Sequence, residues 1–486
     1  MKNLSPISFS LLLVVLSIIA DARESAAQDG YTLNFKVTGW HDTTVYLGHH
    51  FGESIYIKDT AVVGKQGDFR FDGVTLKDHG VYFVAMAKDG KASKQFDFLI
   101  TDDQQFSMTT SATDVLQSMK VTGSDENVLF YKNMKYQTSA RERAAPLESI
   151  LQDATPSMQQ KEAAKAEYTR IRDEVLLYQD QLIAANPNSL TANIIRAYRP
   201  INVPAAPKAS DGRIDSTFQF RWYKKHFFDN FELSEPGLVC LPDPLYKQKI
   251  DEYLDKLTAQ DPDSLFLAAT KIINAAEKNQ QAYRYAAWVC LLKYQQPSIM
   301  GLDEIYVRVF DTYYASGKMN FWITAGSLKA LKDQADRLRK SLIGNIGPDL
   351  VMQDASLKPQ ALYSIDNKYT ILFIFDPDCG HCREETPKLV SFYNKKKWDV
   401  GIYAVSADSS MQKMRNYVKE MSMRWTTVNG HHTYTKYYQE LYDALMLPSI
   451  FVLDKDKRII AKQISADRLD EFFENYERYH GGNGKR

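Results

Sequence analysis

The sequence predicts a multi-domain protein with a β-sandwich-like N-terminal region, an all-α centre and an α/β C-terminal region. Three observations support this prediction. The chain of 486 residues is too long for a single hydrophobic core. Its hydrophobic periodicity changes twice, first from alternation to helical spacing and then to strands that alternate with helices. Its content of 44% apolar and 25% charged residues is that of an ordinary folded chain.

Charge and cysteine counts exclude two classes of protein. Lys and Arg total 60, as do Asp and Glu, so the net charge is zero and a nucleic-acid partner is not expected. Four cysteines are too few for a small scaffold that depends on disulfides for its fold.

The first 27 residues have the pattern of a signal peptide. Lys2 precedes an apolar run from Ile7 to Ala20, and small residues follow at Ala22, Ala26 and Ala27. An uncleaved membrane anchor is the alternative, but a span needs about 20 apolar residues and this run is shorter. No later segment is long and apolar enough to cross a bilayer. We therefore expect a protein exported to the periplasm or cell envelope, without a transmembrane segment after cleavage.

Residues 30–123 are predicted to form a sandwich or small barrel. Short runs of alternating apolar residues recur about every ten residues and are separated by turn signals. The clearest inward-facing positions are Leu33, Phe35, Val37, Phe69, Phe71, Phe96 and Phe98. His49 and His50 are a weak candidate metal pair, because adjacent residues on a strand point to opposite faces.

Residues 124–341 are predicted to be helical. Ser157 to Ala185 reads as a long amphipathic helix, and Asp263-Ser264 as the cap of another. Further helices are expected at Ala282–Leu292 and Leu302–Tyr314, and an exposed loop at Pro200–Pro207. The aromatic residues of these helices favour helix packing over a ligand-binding stripe; they are Tyr283, Tyr285, Trp288, Tyr306, Phe310, Tyr313 and Tyr314.

Residues 342–486 are predicted to form one α/β domain. The apolar run Tyr369–Phe375 is typical of a central strand that is covered on both faces. After it, the pattern predicts helices at 383–396, 411–421, 434–444 and 467–479, and strands at 400–405, 425–428, 449–453 and 458–461. The last two strands are expected to form a hairpin.

A Cys-x-x-Cys motif follows the central strand, at Cys379-Gly380-His381-Cys382. Two intervening residues allow the sulfurs to reach bonding distance across one helical turn. Cys379 is predicted to lie at a helix N-terminus, where unpaired N–H groups and the helix dipole favour a thiolate. His381 is expected to stabilise that thiolate, while Cys382 lies deeper as the resolving thiol. The predicted site is a redox-active disulfide between Cys379 and Cys382.

Two other interpretations of the motif remain open. A zinc half-site needs two more ligands, and the candidates His431 and His432 are adjacent rather than spaced as zinc ligands usually are. A purely structural disulfide closes too short a loop to stabilise the fold much. Cys240 and Cys290 could pair in an oxidising compartment, although Cys290 lies in an apolar helix and reads as a buried hydrophobe.

The C-terminal region resembles the thioredoxin-like fold, and within it the exported TlpA-like thiol–disulfide oxidoreductases. The resemblance covers Leu342 to Tyr479 and rests on the Cys-x-x-Cys motif, on Pro387 five residues after it, and on Leu447-Pro448. It implies a cis-proline turn at Pro448 that faces the cysteines, and a Leu447 backbone that pairs with an extended substrate. Residues 346–354 resemble the family's first hairpin, and Gly380-His381 is the spacer of protein disulfide isomerases.

One residue departs from thioredoxin itself. Phe373 stands where thioredoxin has a buried Asp on the strand before the motif. In TlpA-like proteins a Glu three residues after the second cysteine can take that role, which the resemblance implies for Glu385. The alternative is a solvated Glu385 on an exposed helical face beside Glu384.

These features predict an exported thiol–disulfide oxidoreductase without an organic cofactor or metal. Its partners are expected to be protein thiols or disulfides and an upstream thiol donor. The resemblance favours a reductase, whereas His381 favours an oxidase or isomerase, so the direction stays open. An envelope binding or scaffold protein with a docking thioredoxin-like domain is the alternative. A peroxidase is weakly supported, because no Thr lies three residues before Cys379.

Overall fold

The computed structural model describes residues 30–88, 91–208 and 213–480. The predicted signal peptide, residues 1–27, lies outside the described residues. In the described ranges, no helix combines the length and the apolar character needed to cross a bilayer. The three predicted regions follow one another as strands, helices and an α/β sheet, so the predicted fold class is confirmed.

The N-terminal region is a sandwich of two four-stranded sheets, with orders β4-β1-β7-β8 and β3-β2-β5-β6. Its strands are β1 (Tyr31–Thr38), β2 (Thr44–Phe51), β3 (Ser54–Val62), β4 (Asp68–Gly73), β5 (Gly80–Lys88), β6 (Lys91–Ile100), β7 (Gln105–Ser111) and β8 (Lys120–Thr122), with the short helix α1 (Val115–Ser118) before β8.

Alternation of apolar residues builds the sandwich core as predicted. The Phe35 ring of β1 packs on Phe69 and Phe71 of its own sheet and on Phe96 and Phe98 of the facing sheet. Aromatic pairs of this kind contribute about 0.5–1.5 kcal/mol each beyond the area they bury. This cluster therefore holds the two sheets together.

The central region is helical, as predicted. Its helices are α2 (Asp125–Gln152), α3 (Met158–Ala185), α4 (Leu190–Ala197), α5 (Phe218–His226), α6 (Leu245–Lys256), α7 (Pro262–Ala275), α8 (Gln280–Lys293), α9 (Asp303–Val309) and α10 (Ala325–Lys340). Ser157 and Gln160 form a capping box at the start of α3. The aromatic residues of α8 and α9 lie in the helical core, which confirms the packing interpretation.

The start of one helix and the end of another differ from the predictions. Helix α7 begins at Pro262, because the Asp261 carboxylate, and not Asp263, accepts the N–H of Ser264. The helix predicted to run to Tyr314 is regular only to Val309 and continues as a π-helix over Phe310–Ala315.

The C-terminal region is a seven-stranded sheet of order β10-β9-β13-β12-β11-β14-β15. Its strands are β9 (Val351–Asp354), β10 (Pro359–Ala361), β11 (Tyr369–Phe375), β12 (Val400–Ser406), β13 (Thr426–Thr433), β14 (Ser449–Leu453) and β15 (Ile459–Lys462). Its helices are α11 (Gly380–Asn394), α12 (Met411–Glu420), α13 (Tyr438–Leu441) and α14 (Leu469–His480). All seven residues of β11 are buried, as its continuous apolar run predicted.

The helix predicted at 434–444 is largely absent. Only α13 is helical there, because β13 continues to Thr433 and the Tyr434 N–H then bonds the carbonyl of Val351. Tyr437 has a positive φ of 56°, which a continuous right-handed helix does not contain. Pairing with β9 therefore overrides the helical pattern of this segment.

A buried ion pair joins the helical region to the α/β sheet. The Lys462 ammonium at the end of β15 lies 2.5 Å from the carboxylate of Asp303 on α9, and both side chains are 5% exposed. Lys462 also donates to the carbonyl and the hydroxyl oxygen of Ser341. This junction fixes where the helical region lies relative to the loop that follows β15.

Asp303→Asn should destabilise the protein by about 3–5 kcal/mol, because it leaves the Lys462 charge buried without a counter-charge. Urea unfolding would measure this change in the free energy of unfolding. Asp336→Asn is the matched control: its pair with Lys332 is exposed, so its cost should stay below about 1 kcal/mol. Equal costs for the two variants would contradict the importance of the buried pair.

Candidate functional site

The site lies where the buried central strand ends and helix α11 begins. Strand β11 ends at Phe375, and the chain turns through Asp376–Asp378 before Cys379 caps α11. The Cys379 Sγ accepts the backbone N–H of Cys382 at 3.4 Å, as an N-cap side chain does. The start of α11 is thus three residues earlier than the predicted Arg383, and Cys379 lies at its N-terminus.

The two cysteines differ sharply in burial. Cys379 is partly exposed, whereas Cys382 is fully buried one turn into α11. Burial raises the pKa of the Cys382 thiol to about 12, and the neighbouring Cys379 and the Asp376 carboxylate also favour its neutral form. Both sulfurs are free thiols in the structure. The pair therefore has one accessible sulfur and one that stays protonated near neutral pH.

The predicted cis-proline turn faces the cysteines. The Leu447–Pro448 peptide bond is cis, and the Cys379 Sγ lies 3.7 Å from the carbonyl oxygen of Leu447. Leu447 and Cys379 both pack against the same core cluster. The structure thus brings together the motif and Leu447-Pro448, which are far apart in the sequence.

His381 has a different neighbour from the one predicted. Its side chain is largely exposed, and its Nδ1 lies 3.7 Å from a carboxylate oxygen of Glu384. The pairing of His381 with the Cys379 thiolate stays a prediction.

Glu385 is buried, so the alternative of an exposed, solvated side chain is wrong. Its carboxylate accepts the N–H of Ala466, and its other oxygen lies 3.0 Å from the Lys388 ammonium. Three residues apart on α11, Cys382 and Glu385 share one buried face of the helix. The partial burial that the predicted role requires is therefore present.

Three residues that the sequence did not indicate contact Cys382 or alter its pKa. The Thr386 and Tyr417 hydroxyls lie 2.7 and 3.0 Å from the Cys382 carbonyl oxygen and 2.8 Å from each other. The Asp376 N–H donates to the Cys382 Sγ at 3.4 Å. Thr386 and Asp376 could have been found from their spacing to the motif, since a helical Thr often bonds the carbonyl four residues earlier. Tyr417 comes from α12, and no local pattern indicates it.

The other cysteines and the two adjacent histidines lie elsewhere. Cys240 and Cys290 are buried free thiols, and burial raises the pKa of Cys290 to about 12. The His431 and His432 N–H groups both donate to the Asn429 side chain in β13. Within the described residues, the one group spaced for a cation is Asp376, Asp378 and Asp408, and it includes neither a motif sulfur nor an imidazole.

Three family models match successive parts of the chain. A family model described as "Thioredoxin-like" matches residues 367–459, which contain the motif and the cis-proline turn. Residues 156–333 and 31–130 match two models described as domains of unknown function, DUF5106 and DUF4369 respectively. Together with the sheet and the motif, the first match shows that the C-terminal domain is thioredoxin-like, as the TlpA-like resemblance implied.

Several solved structures are similar to parts of the chain. A thioredoxin-like protein from Bacteroides caccae is 20% identical, covers 57% of this chain and 99% of its own, and has a TM-score of 0.46. A domain of a possible thiol-disulfide isomerase from Cytophaga hutchinsonii is 35% identical over 28% of this chain and 95% of its own, with a TM-score of 0.27. A thiol:disulfide interchange protein from Bacteroides sp. is 24% identical over 30% of this chain and 95% of its own, with a TM-score of 0.25.

Iodoacetamide should label only Cys379 in the native reduced protein near neutral pH, because the other three thiols are buried. Mass spectrometry of the quenched protein should find one modified cysteine before unfolding and all four after it. Labelling of Cys382 should rise only as the pH approaches 12, where its thiol ionises. Equal labelling of Cys379 and Cys382 at pH 7 would contradict the contrast in burial.

Proposed function

We propose that this chain, whose C-terminal domain is thioredoxin-like, is an exported thiol–disulfide oxidoreductase that exchanges disulfides with protein thiols through Cys379 and Cys382. The observation that supports it most directly is the geometry of the two sulfurs. An accessible sulfur caps a helix, and a buried thiol lies one turn behind it. Such a pair suits a nucleophile and a resolving group.

In the reductive direction, the Cys379 thiolate attacks one sulfur of a substrate disulfide. A mixed disulfide forms and the other substrate sulfur leaves as a thiolate, which takes up a proton. Cys382 then loses its proton and attacks the Cys379 sulfur, which releases the first substrate sulfur as a thiolate, and this thiolate also takes up a proton. The substrate gains two electrons and two protons, and Cys379 and Cys382 become a disulfide.

An upstream dithiol would reduce the Cys379–Cys382 disulfide again, by the same steps in reverse. Thiol exchange needs no organic cofactor, because both electrons move with the sulfur–sulfur bond. Reductase or isomerase activity depends on the reduction potential of the pair relative to its partners. Measuring that potential against glutathione would assign the direction.

The resolving step needs an acceptor for the Cys382 proton. The Cys382 thiol has a pKa of about 12, so at neutral pH it reacts slowly without a base. The Glu385 carboxylate is buried on the same face of α11, one turn further along. The Ala466 N–H and the Lys388 ammonium hold this carboxylate in place. We assign Glu385 a role as proton acceptor, directly or through a water.

Export to the periplasm or cell envelope is part of the proposal. The apolar run from Ile7 to Ala20 and the small residues after it support cleavage near residue 27. An oxidising compartment is also where substrate disulfides persist. N-terminal sequencing of the protein recovered from a periplasmic fraction tests this part: a start near residue 28 supports it, and an intact N-terminus contradicts it.

Cys379→Ser should abolish the reduction of insulin disulfides, because oxygen cannot form the mixed disulfide. Cys382→Ser should instead accumulate a mixed disulfide with the substrate, visible as a dithiothreitol-sensitive band shift. Cys290→Ala is the control for the loss of a thiol and should keep turnover. A Cys379→Ser protein as active as the parent contradicts the proposed function.

Glu385→Gln should slow the resolving step by about 10²-fold while the fold is kept. The amide oxygen of Gln can still accept the Ala466 N–H, so the structural contact survives, whereas the proton acceptor is lost. Rapid-quench alkylation measures the decay of the mixed disulfide, and its rate should recover as the pH rises. Glu384→Gln, an exposed neighbour, is the control. A parent-like rate for Glu385→Gln would rule out the role.

A further inference from the structure

A cavity of about 670 Å³ lies between the redox domain and the helical domain. On the redox side it is lined by Leu445, Met446 and Ile464, and by Phe472 of α14. On the helical side its wall is the loop between α8 and α9, which contributes Ile299 and Met300. Its volume lies within the range of small-ligand sites in proteins.

One wall of the cavity continues along the chain into the turn that faces the reactive sulfur. Leu447, whose carbonyl oxygen lies 3.7 Å from the Cys379 Sγ, directly follows Met446, which lines the cavity. Consecutive Cα atoms are about 3.8 Å apart, and an extended chain advances about 3.3–3.6 Å per residue. Two or three residues of a substrate that flank its disulfide can therefore reach from Cys379 into the cavity.

The charges of the cavity are already compensated by one another. Lys462 pairs with Asp303, and Asp443 lies 3.4 Å from the Arg337 guanidinium. The other two charged residues of the lining, Arg468 and Glu471, lie 3.8 Å from each other. A charged ligand group would have to compete with these pairs and lose its hydration.

Apolar side chains and neutral amides remain as the groups that can receive a ligand. Met446 is 68% exposed and Ile299 44%, which leaves apolar surface on both walls. Gln295, Gln296 and Gln463 contribute side-chain amides, which can bond a peptide backbone. This combination matches an uncharged, apolar stretch of extended polypeptide.

We propose that this cavity binds an apolar segment that flanks the reactive cysteine of a polypeptide substrate, and that the helical domain thereby selects substrates. The inference rests on the proposed function, since it needs the mixed disulfide at Cys379 to bring the segment there. The helical loop supplies one wall, so the redox domain alone would offer only half of the site. The buried Lys462–Asp303 pair holds this wall in place.

Two peptides with the same intramolecular disulfide test the proposal, one flanked by Leu-Leu and one by Asp-Asp. A small disulfide, bis(2-hydroxyethyl) disulfide, is the third substrate. The full-length protein should reduce the Leu-Leu peptide with a kcat/KM about tenfold above that of the Asp-Asp peptide, mainly through KM. Equal kcat/KM values for the two peptides overturn the inference.

Ile299→Asp should remove this preference by placing a charge in the helical wall. KM for the Leu-Leu peptide should rise about tenfold, while kcat and the rate with the small disulfide stay unchanged. A peptide flanked by Lys-Lys should become a better substrate than it is for the parent. Leu267→Asp is the matched control, because Leu267 is a 67% exposed residue of α7 in the same domain and lies outside the cavity lining.

The outcomes separate the inference from the proposed function. If the parent does not reduce the small disulfide, the oxidoreductase assignment fails, and the inference fails with it. If the parent reduces it but Ile299→Asp and Leu267→Asp behave alike toward the peptides, only the cavity assignment fails. Met446→Asp, on the opposite wall, repeats the test should Ile299→Asp not fold; a parent-like preference in that variant also overturns the inference.

Discussion

The chemistry of this protein depends on the contrast in burial between two sulfurs one helical turn apart. Cys379 accepts an N–H group at the open end of α11, and Cys382 lies behind it against the central sheet. The same short segment therefore contains a sulfur that can meet another chain and one that cannot. The contrast exists because α11 packs only one face on the buried sheet. Cys382 lies on that face, whereas Cys379 lies before the first turn of the helix.

The surroundings of Cys382 maintain this contrast. Its carbonyl oxygen accepts hydrogen bonds from the hydroxyls of Thr386 and Tyr417, and the Tyr417 bond connects the first turn of α11 to α12. The ring of Tyr417 stacks on Phe375 at the end of β11. Buried polar groups that hydrogen-bond to one another restrict movement. This network of neutral groups therefore holds Cys382 in place and brings no charge close to its thiol. The Asp376 carboxylate lies close enough to favour the neutral form of the Cys382 thiol.

The long helical region is attached to the redox domain through specific contacts, not through a loose linker. The Lys462–Asp303 pair places the end of β15 against α9, and the Lys462 N–H also donates to the Met300 sulfur at 3.4 Å. Removing two charges from water costs free energy, and a buried ion pair offsets this cost only where the surrounding structure holds both partners in good geometry. This arrangement gives the helical region a physical route to influence which polypeptides approach Cys379.

By itself, the sequence determined what local patterns encode: the order of strands and helices, the fully buried β11, and the Cys-x-x-Cys motif at a helix start. It also indicated the turn at Pro448, through a resemblance. Only the tertiary structure decided that Glu385 is buried, that the segment at 434–437 pairs with β9 instead of forming a helix, and that Tyr417 reaches Cys382. The reason is that these outcomes depend on contacts between residues distant in the chain, whose free energies exceed local propensity and leave no periodic trace in the sequence.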